Sequence, residues 1–140
     1  MAGKTGEVAG LGAAVDRHAR WLFGFAAAAN IVVAAAMSIG QRWFVALLGL
    51  DPVAGSNVIL VAMAGLLVGL FGCGYVWVAL DPVRYRPLIP LGAVGKLAAV
   101  ALTLGGALAM PHLWRFLALV SGDFVLAVLF LDYLRRTRRA

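Results

Sequence analysis

The sequence predicts an all-α polytopic membrane protein: an antiparallel four-helix transmembrane bundle with a short interfacial helix in the first external loop. Three observations carry this. Hydrophobic residues make up 64% of the 140-residue chain and charged residues only 13%, with a mean hydropathy of +0.97. That leaves too little polar surface to coat a soluble domain. Four continuous apolar runs, 21–40, 57–80, 88–110 and 113–134, are each long enough to cross a hydrocarbon layer of about 30 Å, which takes roughly 20 helical residues. The runs are rich in Ala, Leu and Gly and do not alternate, so the pattern of a membrane barrel strand is excluded. Residues 1–140 then form a single membrane domain.

Each element has a local reason. Residues 1–10 read as a loose cytoplasmic tail, and 11–20 extend the first helix, with Asp16 and Arg20 offering an i,i+4 pair. The first span has the basic lead of a signal peptide, but it exceeds the usual apolar stretch of about 7–15 residues and reads as a retained anchor. Residues 43–50 are apolar and too short to span. They read as a helix along the headgroups, anchored by Trp43 and Arg42, with a re-entrant, cavity-lining segment as the alternative. Asp81-Pro82 ends the second span, and Pro87 and Pro90 mark entry to the third, where proline in the first turn is tolerated. Met110-Pro111-His112 makes a tight turn. Linkers this short make successive helices antiparallel.

Basic residues set the expected orientation. Lys4, Arg17, Arg20, Arg84, Arg86, Arg135, Arg136, Arg138 and Arg139 fall on one side, and only Arg42 and Arg115 on the other. The positive-inside rule then puts both termini and the 81–87 loop in the cytoplasm of a bacterial inner membrane. Arg84, Arg86, Arg135, Arg136, Arg138 and Arg139 are expected to meet anionic lipid headgroups. The net charge of +6 is accounted for by these membrane edges, and no nucleic-acid reading motif accompanies it.

Small residues at helical spacing mark packing faces. Gly65, Gly69 and Cys73 share a row on the second span, Gly92, Gly95 and Ala99 one on the third, and Ala26, Asn30, Ala34 and Ser38 one on the first. Such stripes let backbones approach where lipid removes the usual hydrophobic drive, within one chain or between two.

Chemical constellations are sparse. Cys73, expected to be buried in the second span, gives no disulfide or metal pair. His18 and His112 fall at opposite membrane faces and cannot together ligate one haem, although a single axial histidine or a partner's histidine would serve. Protease, hydrolase and phosphate-loop motifs are absent from the sequence. Phe71, Tyr75, Trp77, Trp114 and Phe116 are candidates to line an apolar slot for a quinone or lipid. No resident cofactor or metal is expected beyond such a bound molecule.

Two intramembrane charges remain, Lys96 and Asp123, with Asn30 as a polar helper. Lys96 lies roughly 12 Å from the start of its helix and Asp123 roughly 12 Å from Arg115, so their depths differ by about 6 Å in a core of about 30 Å. They could pair, but helical side chains lean toward their own N-terminus, which in antiparallel helices tilts these two apart. The alternative has Lys96 snorkelling toward Asp81 or Asp132 and Asp123 bonded to Asn30 or Ser121.

The stretch GYVWVALDPVRYRPLIPLGAVGK, residues 74–96, resembles small four-helix bacterial membrane proteins of the DoxX-like group through Asp81-Pro82, Arg84, Pro87 and Gly95-Lys96. The resemblance implies a link to redox membrane complexes and supplies no agreed active site. Taken together, the expected function is a non-enzymatic accessory or assembly subunit, partnered by the bilayer and by other membrane subunits or itself. The alternatives are a small oligomeric transporter or proton-coupled channel using Asp123 and Lys96, and a quinone-, lipid- or haem-binding redox protein.

Overall fold

A computed structural model describes the backbone of residues 3–138 and the side chains of residues 17–138. It is an all-helical antiparallel bundle, and four of its helices are long and apolar enough to cross a membrane. The elements are α1 (Gly3–Ser38), α2 (Gln41–Leu48), α3 (Asn57–Leu80), α4 (Leu88–Ala109), a 3-10 turn (Pro111–Leu113) and α5 (Trp114–Arg136). The expected interfacial helix is α2, displaced by two residues. Residues 3–10, expected as a loose tail, are instead helical and continue α1 toward its N-terminus. The Asp16–Arg20 pair and Arg139 lie outside the described side chains.

The four long helices form two tight hairpins, α1 with α3 and α4 with α5, that touch each other less. The glycine stripe explains the first. A Cβ at Gly65 would fall 2.6 Å from Ser38 Oγ and 2.9 Å from Met37 Cβ, one at Gly69 would meet Ala34 Cβ at 3.3 Å, and one at Gly72 would meet Ile31 and Asn30 at 3.0 and 3.2 Å. Pairing 65 with 38 and 72 with 27–31 is the antiparallel register. The stripe runs i, i+4, i+7 and not i+8. Cys73, expected to be buried, is therefore exposed on the outer face, and Gly72 takes the place expected for it.

The hairpins meet through large side chains at one end, where residues near Arg17, the 81–87 turn and the end of α5 gather. This is the basic end. Phe23, Phe130, Tyr133 and Tyr75 form one cluster there, with Phe23 and Phe130 ring centroids 4.7 Å apart and Tyr75 edge-on to Phe130 at 5.2 Å. Gly92 admits the Tyr75 ring, because a Cβ there would lie 2.6 Å from its Cε1 and Oη. Gly95 and Ala99, expected in the same packing stripe, differ. A Cβ on Gly95 would only make ordinary contact with Phe71 at 3.7 Å, and both residues line a cavity between the hairpins.

The ends are closed by specific hydrogen bonds. Asp81 Oδ1 accepts the Arg84 backbone N–H at 2.9 Å, which folds the turn after α3. Arg86, expected at lipid headgroups, donates through Nη2 to the Leu134 carbonyl at 3.3 Å, and Thr137 Oγ1 donates to Tyr133 O at 2.9 Å. The Leu134 carbonyl is one that the last turn of α5 leaves open, while that of Tyr133 also accepts the Thr137 backbone N–H at 3.0 Å. Arg136 pairs with Asp132 at 2.7 Å along the exposed face, while Arg84, Arg135 and Arg138 are exposed. At the opposite end Gly49, at φ 66°, terminates α2 with Leu50 N–H to Val45 O at 2.9 Å and Gly49 N–H to Ala46 O at 3.2 Å, a Schellman closure that needs the left-handed residue. Gln41 Nε2 donates to Val58 O at 3.0 Å and ties α2 to the start of α3.

Gly65→Leu is expected to separate α1 from α3 and to lower stability by about 1–3 kcal/mol, the usual cost of overpacking a tight contact. Gly105→Ala, where nothing lies within 4 Å of the added Cβ, should change stability by less than about 0.5 kcal/mol. Unfolding of the two variants in mixed micelles checks the contrast, and equal losses would refute the stripe as the hairpin's contact.

Candidate ligand-binding cavity

Lys96 and Asp123 touch. Lys96 Nζ forms an ion pair with Asp123 Oδ1 and also donates to Asn30 Oδ1 at 3.1 Å. Asn30 in turn donates through Nδ2 to the Val68 carbonyl at 3.2 Å. The ammonium lies 5.6 Å from the centroid of the Tyr75 ring, so all three N–H groups have a direction to point. The expectation that the two side chains lean apart is corrected. Preferring an N-terminal lean is a rotamer matter worth about 0.5–1.5 kcal/mol, whereas leaving two charges unpaired among apolar helices costs several kcal/mol each. Pairing wins on magnitude. The alternative partners are occupied elsewhere, since Asp81 caps its own turn, Asp132 holds Arg136, and Ser121 Oγ donates to Ala118 O at 2.6 Å.

The bonds divide by hairpin. Lys96–Asp123 lies within α4–α5, and Asn30–Val68 lies within α1–α3. Lys96–Asn30 crosses between them, so one lysine joins both hairpins near mid-bundle.

The trio borders a cavity of about 430 Å³ between the hairpins. The aromatic cluster closes it at the basic end, and from there it extends toward Phe44 of α2 and Phe116 near the start of α5. Its size follows from the side chains facing the gap. At the basic end these are Phe23, Tyr75, Phe130 and Tyr133, which fill it. Farther along they include Ala29, Gly95, Ala99 and Gly122, which do not. The walls are otherwise apolar, with Phe25, Leu67, Phe71, Leu119, Val120 and Leu126 among them. Phe71, Tyr75 and Phe116 line it as expected for an apolar slot. Trp77 and Trp114 do not, being 53% and 52% exposed, and Trp77 stacks on Tyr85 at 5.8 Å. Phe25, Ala29, Phe44 and Gly122 were not singled out in the sequence. Their signal is helical spacing from known polar positions: Ala29 adjoins Asn30, Gly122 adjoins Asp123, and Phe25 lies one turn before Ala29.

Burial within the trio is unequal. The Lys96 side chain is 5% exposed and that of Asp123 33%, so Asp123 is the more open member of the charged pair. A largely apolar chamber of several hundred Å³ with a few convergent polar groups is the usual form of a small-molecule site. His18 and His112 sit at opposite ends of the bundle, and no cluster of three or more metal-ligating His, Cys, Asp or Glu side chains occurs among the described residues.

Lys96→Met or Asp123→Leu alone strands the other charge and is expected to cost about 3–5 kcal/mol. The double variant should recover most of that loss. A double-mutant cycle on unfolding in detergent measures the coupling, and additive losses would show that the charges do not act as a pair. Asn30→Ala removes two hydrogen bonds and should cost about 1–2 kcal/mol.

Comparisons of the chain with protein-family models, with curated proteins and with solved structures match nothing, so the cavity is read from its geometry.

Proposed function

We propose that this chain is a non-catalytic membrane protein that binds a small amphiphilic molecule in the cavity between its two hairpins. One observation supports the reading: the one ion pair inside the bundle among the described residues borders a largely apolar cavity, and the Asp123 side chain, one-third exposed, is part of its lining. A pair serving only to fix helix register has no need of such a chamber. The accessory-subunit expectation rested on small size, sparse chemistry, glycine-striped surfaces and minimal loops. With the cavity in view, ligand binding becomes the first reading, and a place in a larger complex is compatible with it. The basic end, with Arg84, Arg135 and Arg138, is taken to face the cytoplasm of a bacterial inner membrane.

Transport is a second reading, supported by one further feature. The hairpins are each tightly packed, and a polar bond from Lys96 to Asn30 links them across the bundle interior. Two rigid halves around a mid-membrane site is a transporter-like arrangement.

The test is retention of a ligand. Wild-type protein purified in mild detergent and extracted should release one amphiphile enriched over bulk lipid. Ala99→Leu, which fills part of the cavity, should retain about tenfold less, corresponding to about 1.4 kcal/mol of overpacking. Identical extracts from both proteins would sink the binding reading.

A further inference from the structure

Resting on that binding reading, we propose that the occupant is a neutral amphiphile whose head donates a hydrogen bond, an alcohol or phenol on an apolar body, and that Asp123 Oδ2 receives it. The polar groups of the site are not equally open. Lys96 directs its ammonium at Asp123 Oδ1, at Asn30 Oδ1 and over the Tyr75 ring. Asn30 gives one of its two amide N–H groups to the Val68 carbonyl. The Tyr75 hydroxyl is pressed against Gly92, and the residue is 2% exposed. The charged donor of the site is thus fully engaged. The open charged group is an acceptor: Asp123 Oδ1 is held by Lys96, Oδ2 receives a hydrogen bond from no described residue, and the side chain lines the cavity.

Two exclusions follow. A carbonyl or ether head brings only acceptors and meets a carboxylate oxygen with no proton between them. A charged head upsets the balance, since Lys96 and Asp123 already neutralise each other and a third charge would sit uncompensated among apolar walls. A hydroxyl avoids both, because it donates to the free oxygen and adds no charge. Size sets the body. A cavity of about 150 Å³ accepts benzene, so about 430 Å³ holds on the order of 17 non-hydrogen atoms on the same scale.

The test uses the full chain in lipid nanodiscs with a diazirine-bearing 1-tetradecanol as the probe. Labelled positions are read by mass spectrometry, and unlabelled 1-tetradecanol, its methyl ether, tetradecylamine and tetradecanoate compete at equal amounts per lipid. Labelling is expected within the cavity, at residues such as Phe71 and Leu119. The alcohol should compete about tenfold or more better than the ether, the loss expected when a hydrogen bond to a charged acceptor is removed, and better than the amine or the acid. In the Lys96→Met/Asp123→Leu double variant, the alcohol-to-ether ratio should fall to near one. Equal competition by all four heads, or stronger competition by the amine, would overturn the neutral-donor assignment while leaving cavity binding intact. Absence of cavity labelling by the probe would instead count against the binding reading itself.

Discussion

The bundle is organised around a constraint on one side chain. Lys96 sits within α4 at 5% exposure, and an ammonium in that position needs acceptors on neighbouring helices. Asp123 on α5 supplies the counter-charge and Asn30 on α1 a neutral acceptor. Satisfying both fixes the rotation of α4 about its axis and brings three of the four long helices to one depth. Interhelical hydrogen bonds between neutral groups in membranes contribute only about 0.6–2 kcal/mol. The larger penalty for breaking a buried pair makes the ion pair the term that selects among otherwise similar packings of apolar helices.

Around that point, residue size does the remaining work. Glycines at 65, 69 and 72 bring α1 and α3 close enough that an added methyl at any of them would crowd its neighbours. Aromatic side chains then hold the two hairpins together at the basic end, while small residues beyond the trio leave a gap that packing does not fill. Core and cavity are thus two outcomes of one design, set by which side chains face the space between the hairpins. The exposed apolar faces, with Leu102, Val83 and Trp43 at 79–85%, are what an inside-out protein presents to lipid.

Much of the fold was legible because hydrophobic run length, proline position and turn composition act locally. Residues 57–80 and the prolines at 87 and 90 gave α3 and the start of α4 directly. The positions that differed depend on rotation about a helix axis or on reach across helices. Cys73 follows Gly69 by four residues and seemed to continue the stripe, but a step of three keeps Gly72 on the buried line. Trp77 and Trp114 carry the chemistry of a slot and the azimuth of the lipid face. Arg86 has the composition of a headgroup contact, yet the last carbonyls of α5 lie within its reach. For the site, the sequence pointed to Lys96 and Asp123 as a candidate pair with Asn30 as a helper, but it left their contact open, because side-chain lean and the shared desolvation cost pull in opposite directions and only the rotamers decide between them.

The asymmetry within the pair separates a structural role from a functional one. Were register the whole purpose, both members would gain from closure, since every open face of a charge in an apolar medium forfeits partner contacts. Lys96 is nearly closed, at 5% exposure. Asp123 is not, and the space beside it is maintained by small residues contributed from α1, α4 and α5 together. A single undersized residue would be an ordinary packing defect. Several of them from separate helices line the same cavity as Asp123, and on the proposed reading they make a site whose polarity is fixed before any ligand arrives: the lysine sets the carboxylate in place, and the carboxylate oxygen that Lys96 does not hold selects the head group.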